Sequence, residues 1–198
     1  RQDHLAEGAV PVLEMGIPFM VDVLTGDRTG FYLEHRSNRA RLMQRASGKD
    51  VLDLFSYTGS YAIYALKGGA KTVVSVESSS PALALAKKNM EMNKIAPFVW
   101  KIVRDDVFRF LQDDRGTYDI IVCDPPAFMK EVDDFEKVLG LALERLKPSG
   151  QIFATTYLGS QVTPLDFYRS VQGASEKTSR PVRIIEPLHE GPDFPIQP

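Results

Sequence analysis

Four apolar residues, Ile120-Ile121-Val122-Cys123, run directly into Asp124-Pro125-Pro126-Ala127-Phe128. Each proline removes a backbone N–H and fixes φ, so a strand buried on both faces must stop there. Carbonyls left outside sheet and helix, one carboxylate and a ring three residues past the first proline suit gripping a flat, amine-bearing ring such as a nucleobase. Asp124 and Pro125 are the candidate catalytic pair, through a carboxylate and a carbonyl, with Pro126 and Phe128 against the substrate. The same residues also read as a strand breaker whose aspartate caps a turn and whose phenylalanine is core.

Three other apolar runs end on polar residues. Val51-Leu52-Asp53-Leu54-Phe55 is followed by Ser56-Tyr57-Thr58-Gly59. A dinucleotide phosphate loop needs three glycines, for the turn, the pyrophosphate and helix packing; only Gly59 is present, so this loop suits a ligand without a pyrophosphate. A second run ends at Glu77-Ser78, where such sheets place an acid that takes both hydroxyls of a ribose. A third ends at Asp105-Asp106-Val107, with a carboxylate suited to an adenine amine. Ribose acid, adenine acceptor and no phosphate loop describe an adenosine with a non-phosphate tail, and S-adenosylmethionine is that ligand. Each residue has a plainer role open to it. Glu77 reads equally as a solvated strand-end acid, Asp105 or Asp106 as a helix cap, and Gly59 as a helix-entry turn.

The elements that must position these residues alternate. Residues 9–24 hold two short apolar runs parted by Gly16 and Pro18, as in a hairpin. Helix formers dominate His35 to Ala46. Strands are expected at 51–55, 72–77, 98–103, 118–123 and 152–156, with a last pairing at 182–185. Helices are expected after Ser60, from Pro81, at 107–111, at 135–146 with a stop at Pro148-Ser149-Gly150, and at 167–172. Such alternation with short turns predicts an α/β fold with a doubly wound, mostly parallel sheet, divided into a connecting hairpin segment (1–34) and a catalytic domain (35–198).

Composition sets the outer bounds. A chain of 198 residues, 43% hydrophobic and 25% charged, is ordinary globular material long enough for one large core. Its net charge of −2 gives no global nucleic-acid footprint, so any RNA contact must be local. The segment Arg28 to Lys49 carries Arg28, Arg36, Arg39, Arg41, Arg45 and Lys49 against the single acid Glu34. Arg36 and Arg39 are the candidates for RNA phosphates, or else one side of a solvated helix paired with Glu34. One cysteine excludes an intrachain disulfide and argues against a Cys-based metal site; no metal is expected. No long apolar run or export signal is present, and a cytoplasmic location is expected.

The motifs together resemble a known family. Thr25-Gly26 through Gly30-Phe31-Tyr32-Leu33-Glu34-His35-Arg36, Leu54 through Ser60, Val76-Glu77, Arg104 through Phe108 and Asp124 through Phe128 are similar to the class I methyltransferases of bacterial large-subunit ribosomal RNA. The resemblance spans about residues 20 to 195. It implies a Rossmann-like sheet of the seven-strand type, S-adenosylmethionine as methyl donor, and an RNA substrate. It places Asp53, Phe55, Ser56, Tyr57, Gly59, Glu77 and Asp106 around the cofactor and Asp124 beside the reacting base. Relatives that methylate cytosine carbon carry an N-terminal RNA-binding domain and a final strand beyond a motif like Asp193-Phe194-Pro195. Against them this chain reads as a fragment or a reduced form.

Methylation at cytosine carbon needs a thiolate to add to the ring. In the cytosine relatives that cysteine follows the fifth strand, where this chain has Tyr157. Cys123 directly precedes Asp124, and alternation along a strand turns it into helix packing if Asp124 faces the pocket. Nitrogen methylation, which needs no covalent intermediate, is therefore favoured. A methyltransferase for a small molecule or protein, or a fold that only binds the cofactor, remains the alternative. His35 is expected to be structural or near the cofactor; His4 and His189 are given no role.

Overall fold

The computed structural model describes residues 8–126, 132–155 and 163–188. Two strands, β1 (Ala9–Glu14) and β2 (Ile17–Asp22), form an antiparallel hairpin. Its two-residue turn, Met15-Gly16, has φ of 49° and 79°, the left-handed pair that matches strand twist. After two short 3-10 turns come α1 (Arg36–Arg45), β3 (Asp50–Leu54), α2 (Ser60–Lys67), β4 (Thr72–Glu77) and α3 (Ser80–Met92). Then follow β5 (Trp100–Arg104), α4 (Val107–Asp113), β6 (Tyr118–Cys123), α5 (Val132–Arg145), β7 (Leu146–Ala154) and α6 (Pro164–Thr178).

Strands β3 to β7 make one parallel sheet in the order β5-β4-β3-β6-β7. The chain builds outward from β3 to β5, then returns to place β6 on the other side of β3. A crevice opens where the order reverses, at the carboxyl ends of β3 and β6. Alternate side chains feed two cores. Val51, Ile120 and Val122 pack with the hairpin, α1 and α2; Leu52, Leu54, Ile121 and Cys123 pack with α4, α5 and α6. Two-sided burial explains why these strands read as continuous apolar runs.

The hairpin shares that first core through Ile17, Phe19 and Val21, and Phe31 of the segment that follows it joins them. Its outer edge is tied down by α3. Asn89 accepts from the Met20 N–H (2.6 Å) and donates to the Thr58 carbonyl (3.0 Å), and Asn93 donates to the Pro18 carbonyl (2.8 Å). At the turn end, Arg39 of α1 forms a two-pronged ion pair with Glu14 (2.8 and 2.7 Å) while the Tyr64 hydroxyl donates to the same carboxylate (3.0 Å).

The structure corrects several expectations. Arg39 is 1% exposed and faces the hairpin, so it cannot reach RNA phosphates. Arg41 and Arg45 pair with Glu186, leaving less of a basic stripe than the sequence suggests. Pro148-Ser149-Gly150 lies inside β7, which starts at Leu146 with a register shift opposite Tyr118–Ile120. Residues 182–185 form no strand among the described residues. No helix among the described residues is long and apolar enough to cross a membrane.

Removing one partner of a buried ion pair leaves the other charge uncompensated. Arg39→Met is expected to lower the unfolding free energy by about 3–5 kcal/mol in chemical denaturation. The double variant Glu14→Leu/Arg39→Met is expected to recover most of it; equal losses in the two would mean that the pair's charge is not what matters.

Candidate active site

The loop after β3 follows a path that non-glycine residues resist. Phe55, Tyr57 and Gly59 have φ of 56°, 47° and 77°, so every second residue is left-handed, at about 1–2 kcal/mol for each side chain other than glycine. Hydrogen bonds hold it there. The Ser56 N–H donates to the Val76 carbonyl (3.1 Å) and the Gly59 N–H to the Ser56 carbonyl (2.8 Å). Glu77, at the end of β4, accepts from the Tyr57 N–H (2.9 Å) on one oxygen and the Ser79 N–H (2.8 Å) on the other. Glu77 thus fixes two loops at once, and each oxygen keeps a lone pair toward the cleft. A Cβ at Gly59 would lie 2.5 Å from the Trp100 ring, so that glycine serves packing as well as the turn.

Behind the loop, Asp53 is 1% exposed. One of its oxygens accepts from the Ser75 hydroxyl (3.3 Å), which itself accepts from the Trp100 indole (2.8 Å). The other oxygen closes no hydrogen bond of ordinary geometry among the described residues, and neither do the buried Ser56 hydroxyl and Asn38 side-chain oxygen. Burial first, then the nearby Asp124 and Glu77 charges, push the Asp53 carboxyl up to about 8, against the pull of the Ser75 hydroxyl and the Ala62 N–H. Orphaned acceptors around a buried carboxyl fit a cationic, hydrogen-bond-donating group, which the ammonium of S-adenosylmethionine is.

The segment after β2 roofs the cleft. The Asp22 carboxylate accepts from the Leu24 and Thr25 N–H groups (3.1 and 3.0 Å) and the Thr25 hydroxyl, which holds it below the usual carboxylate range. Gly26 and Gly30 press on the Asp22 backbone so closely that a Cβ on either would come within 2.4 Å of its carbonyl oxygen. The tight turn delivers Tyr32 edge-on to Tyr57 (5.6 Å, 90°) and His35 to Asp124, Nε2 to Oδ1 3.3 Å. The Thr155 hydroxyl, just past β7, donates to the same Asp124 oxygen.

Of the residues expected from sequence, Phe55, Glu77, Ser78, Asp105, Asp106, Val107, Asp124, Pro125 and Pro126 line one cleft. Asp53, Ser56, Tyr57 and Gly59 are not among its lining residues, and Asp53 and Ser56 are buried. Asp106 does cap α4, accepting from the Arg109 N–H (3.0 Å), and Asp105 pairs with the Arg109 guanidinium (2.6 Å). Thr58 is 1% exposed and can reach a ligand only through its backbone, and Arg36 does not line the cleft. Phe128 and Tyr157 lie outside the described residues, as do His4 and His189. Cys123 is fully buried against α5, and burial raises its thiol well above the ordinary range. Sequence reasoning missed Thr155, Tyr32 and Asn38 and left His35 undecided; the Thr25-to-Arg36 motif, which contains Tyr32 and His35, was the signal that could have found those two.

Comparison with known proteins agrees with this geometry. Residues 6–198 match the family model described as S-adenosylmethionine-dependent methyltransferase. Proteins named ribosomal RNA large subunit methyltransferase I are similar to the chain. That of Citrobacter koseri is 35% identical, covering 98% of this chain and 51% of its own length; that of Aeromonas salmonicida is 36% identical, covering 94% and 50%. Among solved structures, a putative SAM-dependent methyltransferase from Streptococcus mutans superposes with a TM-score of 0.80 at 33% identity, over 87% of this chain and 47% of that one. Another putative methyltransferase, complexed with SAH, superposes with a TM-score of 0.78 at 33% identity, over 85% and 47%. The chain therefore spans about half the length of the curated relatives it matches. With sequence, sheet order and cleft in agreement, the chain belongs to the S-adenosylmethionine-dependent methyltransferase family.

Proposed function

We propose that the chain is the methyl-transferring unit of an enzyme that methylates a nitrogen of a base in ribosomal RNA. The observation that carries this reading is the meeting of Glu77 and the Asp124-Pro125-Pro126 turn in one cleft at the strand reversal. Glu77 would take the ribose hydroxyls, Asp53, Ser56 and Asn38 the ammonium end, and Asp105 or Asp106 the adenine amine. S-adenosylmethionine supplies a methyl group activated by a sulfonium. A base nitrogen that takes up this methyl becomes cationic and must lose one proton, for which the Asp124 carboxylate is the acceptor in the cleft. The Pro125 carbonyl offers a second acceptor for the amine, and the rigid turn holds both in place.

The choice of nitrogen is supported by Cys123, whose buried, protonated thiol cannot add to a ring. An RNA substrate is supported by the relatives' names. The hairpin belongs with this catalytic unit, since it shares the core and leads into the roof of the cleft.

Two outcomes follow. In a methyl-transfer assay on unmodified ribosomal RNA, Asp124→Asn is expected to lower kcat by about 10²–10⁴-fold and Cys123→Ala to leave it nearly intact. Full activity in the first variant removes Asp124 from the chemistry, and loss in the second, with an unchanged melting profile, overturns the nitrogen assignment. The second outcome concerns pH. A carboxyl raised to about 8 is protonated in the free protein at pH 7, and a cation bound beside it favours its ionised form. Cofactor binding should release a proton and tighten as pH rises from about 6 to about 8, detected by calorimetry in buffers of different ionisation enthalpy. Asp53→Asn should remove the release. In the ligand-free fold the same raised group stabilises most below the ordinary carboxylate range and loses that contribution as pH climbs through about 8.

A further inference from the structure

We propose that His35 is a positioning residue for methyl transfer: together with Thr155 it occupies one oxygen of Asp124 and so presents the other to the substrate. The role rests on the methyl-transfer reading of the same cleft. His35 Nε2 lies 3.3 Å from Asp124 Oδ1, and the Thr155 hydroxyl donates to that same Oδ1. A carboxylate oxygen has two lone pairs. With the Thr155 hydroxyl bonded to Oδ1 and the His35 nitrogen beside the same atom, a further donor such as a base amine is directed to Oδ2. The two donors come from opposite sides of the crevice, one from the roof segment after the hairpin and one from the end of β7, so Asp124 is braced across it.

The imidazole is itself held rigidly enough to act as the brace. It stacks on Tyr32 (centroids 6.0 Å apart, planes 20°) and meets Tyr61 on a tilted contact (6.0 Å, 40°). Tyr61 is 6% exposed in the first core, and the Tyr32 ring abuts Tyr57. A ring held between Tyr32 and Tyr61 does not follow a displaced carboxylate; it restrains one. Neutral imidazole with its proton on Nε2 and imidazolium both supply the required donor, so the brace does not depend on which form is present. A reacting atom misplaced by about 1 Å can cost about 10²-fold in rate, which sets the scale of the effect.

Steady-state methyl transfer from S-adenosylmethionine to unmodified ribosomal RNA, with cofactor Kd from calorimetry, separates this role from a structural one. His35→Phe keeps an aromatic ring between the tyrosines and removes the donor. It should lower kcat about 10²-fold while cofactor Kd stays within about twofold. His35→Gln returns an N–H of similar reach and should bring kcat back to within about tenfold of the wild type. Thr155→Val should also lower kcat, and the double variant should lose less than the product of the single losses, because both act through one oxygen. Wild-type kcat in His35→Phe, or a fall matched by an equal weakening of cofactor binding, overturns the proposal. Should that variant fail to fold, His35→Gln and Thr155→Val carry the test, and wild-type kcat in Thr155→Val overturns the shared-oxygen arrangement. No transfer by the wild-type protein is a distinct result, which removes the functional reading and this role with it.

Discussion

One buried guanidinium underlies most of the cleft. Arg39 reaches from α1 to both oxygens of Glu14 at the hairpin turn, and its Nη2 also donates to the Tyr32 carbonyl (3.0 Å). It lies over the Phe31 ring (4.6 Å), so its flat face is covered as well as its edge. The hairpin, the first helix and the roof of the active site therefore share a single side chain. A planar, permanently charged fork suits this task; lysine would make only one of the three contacts well. The polar network is costly to bury, and it has geometric specificity that apolar packing alone lacks: it sets where Tyr32 lies, and through Tyr32 where His35 lies.

A second chain of contacts supports the cleft from below. Trp100 on β5 fills the space beside Gly59 and donates to Ser75 on β4, which donates to Asp53 on β3. Roof and floor are tied at Asn89, whose side chain joins the Met20 backbone of the hairpin to the Thr58 carbonyl of the loop after β3. The left-handed Phe55 and Tyr57 are kept in place between these supports.

The sheet was legible in the sequence because its signals are local. Two-sided burial writes itself as consecutive apolar residues, as in Ile120 to Cys123, and prolines and glycines mark where those runs stop. Strand-end acids could be found for the same reason: the fold places ligands there, so Glu77 and Asp124 announce themselves by position. Partners distant in sequence could not be found. Nothing near Arg39 points to Glu14, 25 residues away, so a helix rich in arginine resembled a phosphate-binding face. Thr155 and Asp124 are 31 residues apart and meet only because β6 and β7 are neighbours in the sheet. The β7 boundary was misjudged because Pro148 and Gly150 usually end elements, whereas here they lie where the strand's pairing with β6 slips.

The placement of Trp100 has an optical consequence. It is the sole tryptophan of the chain, 2% exposed, pressed against Gly59 and linked through one hydroxyl to Asp53. Its indole therefore senses the loop and the charge of the carboxylate together, with no second indole to confuse the signal. The protein's own fluorescence is a built-in gauge of the floor of its active site.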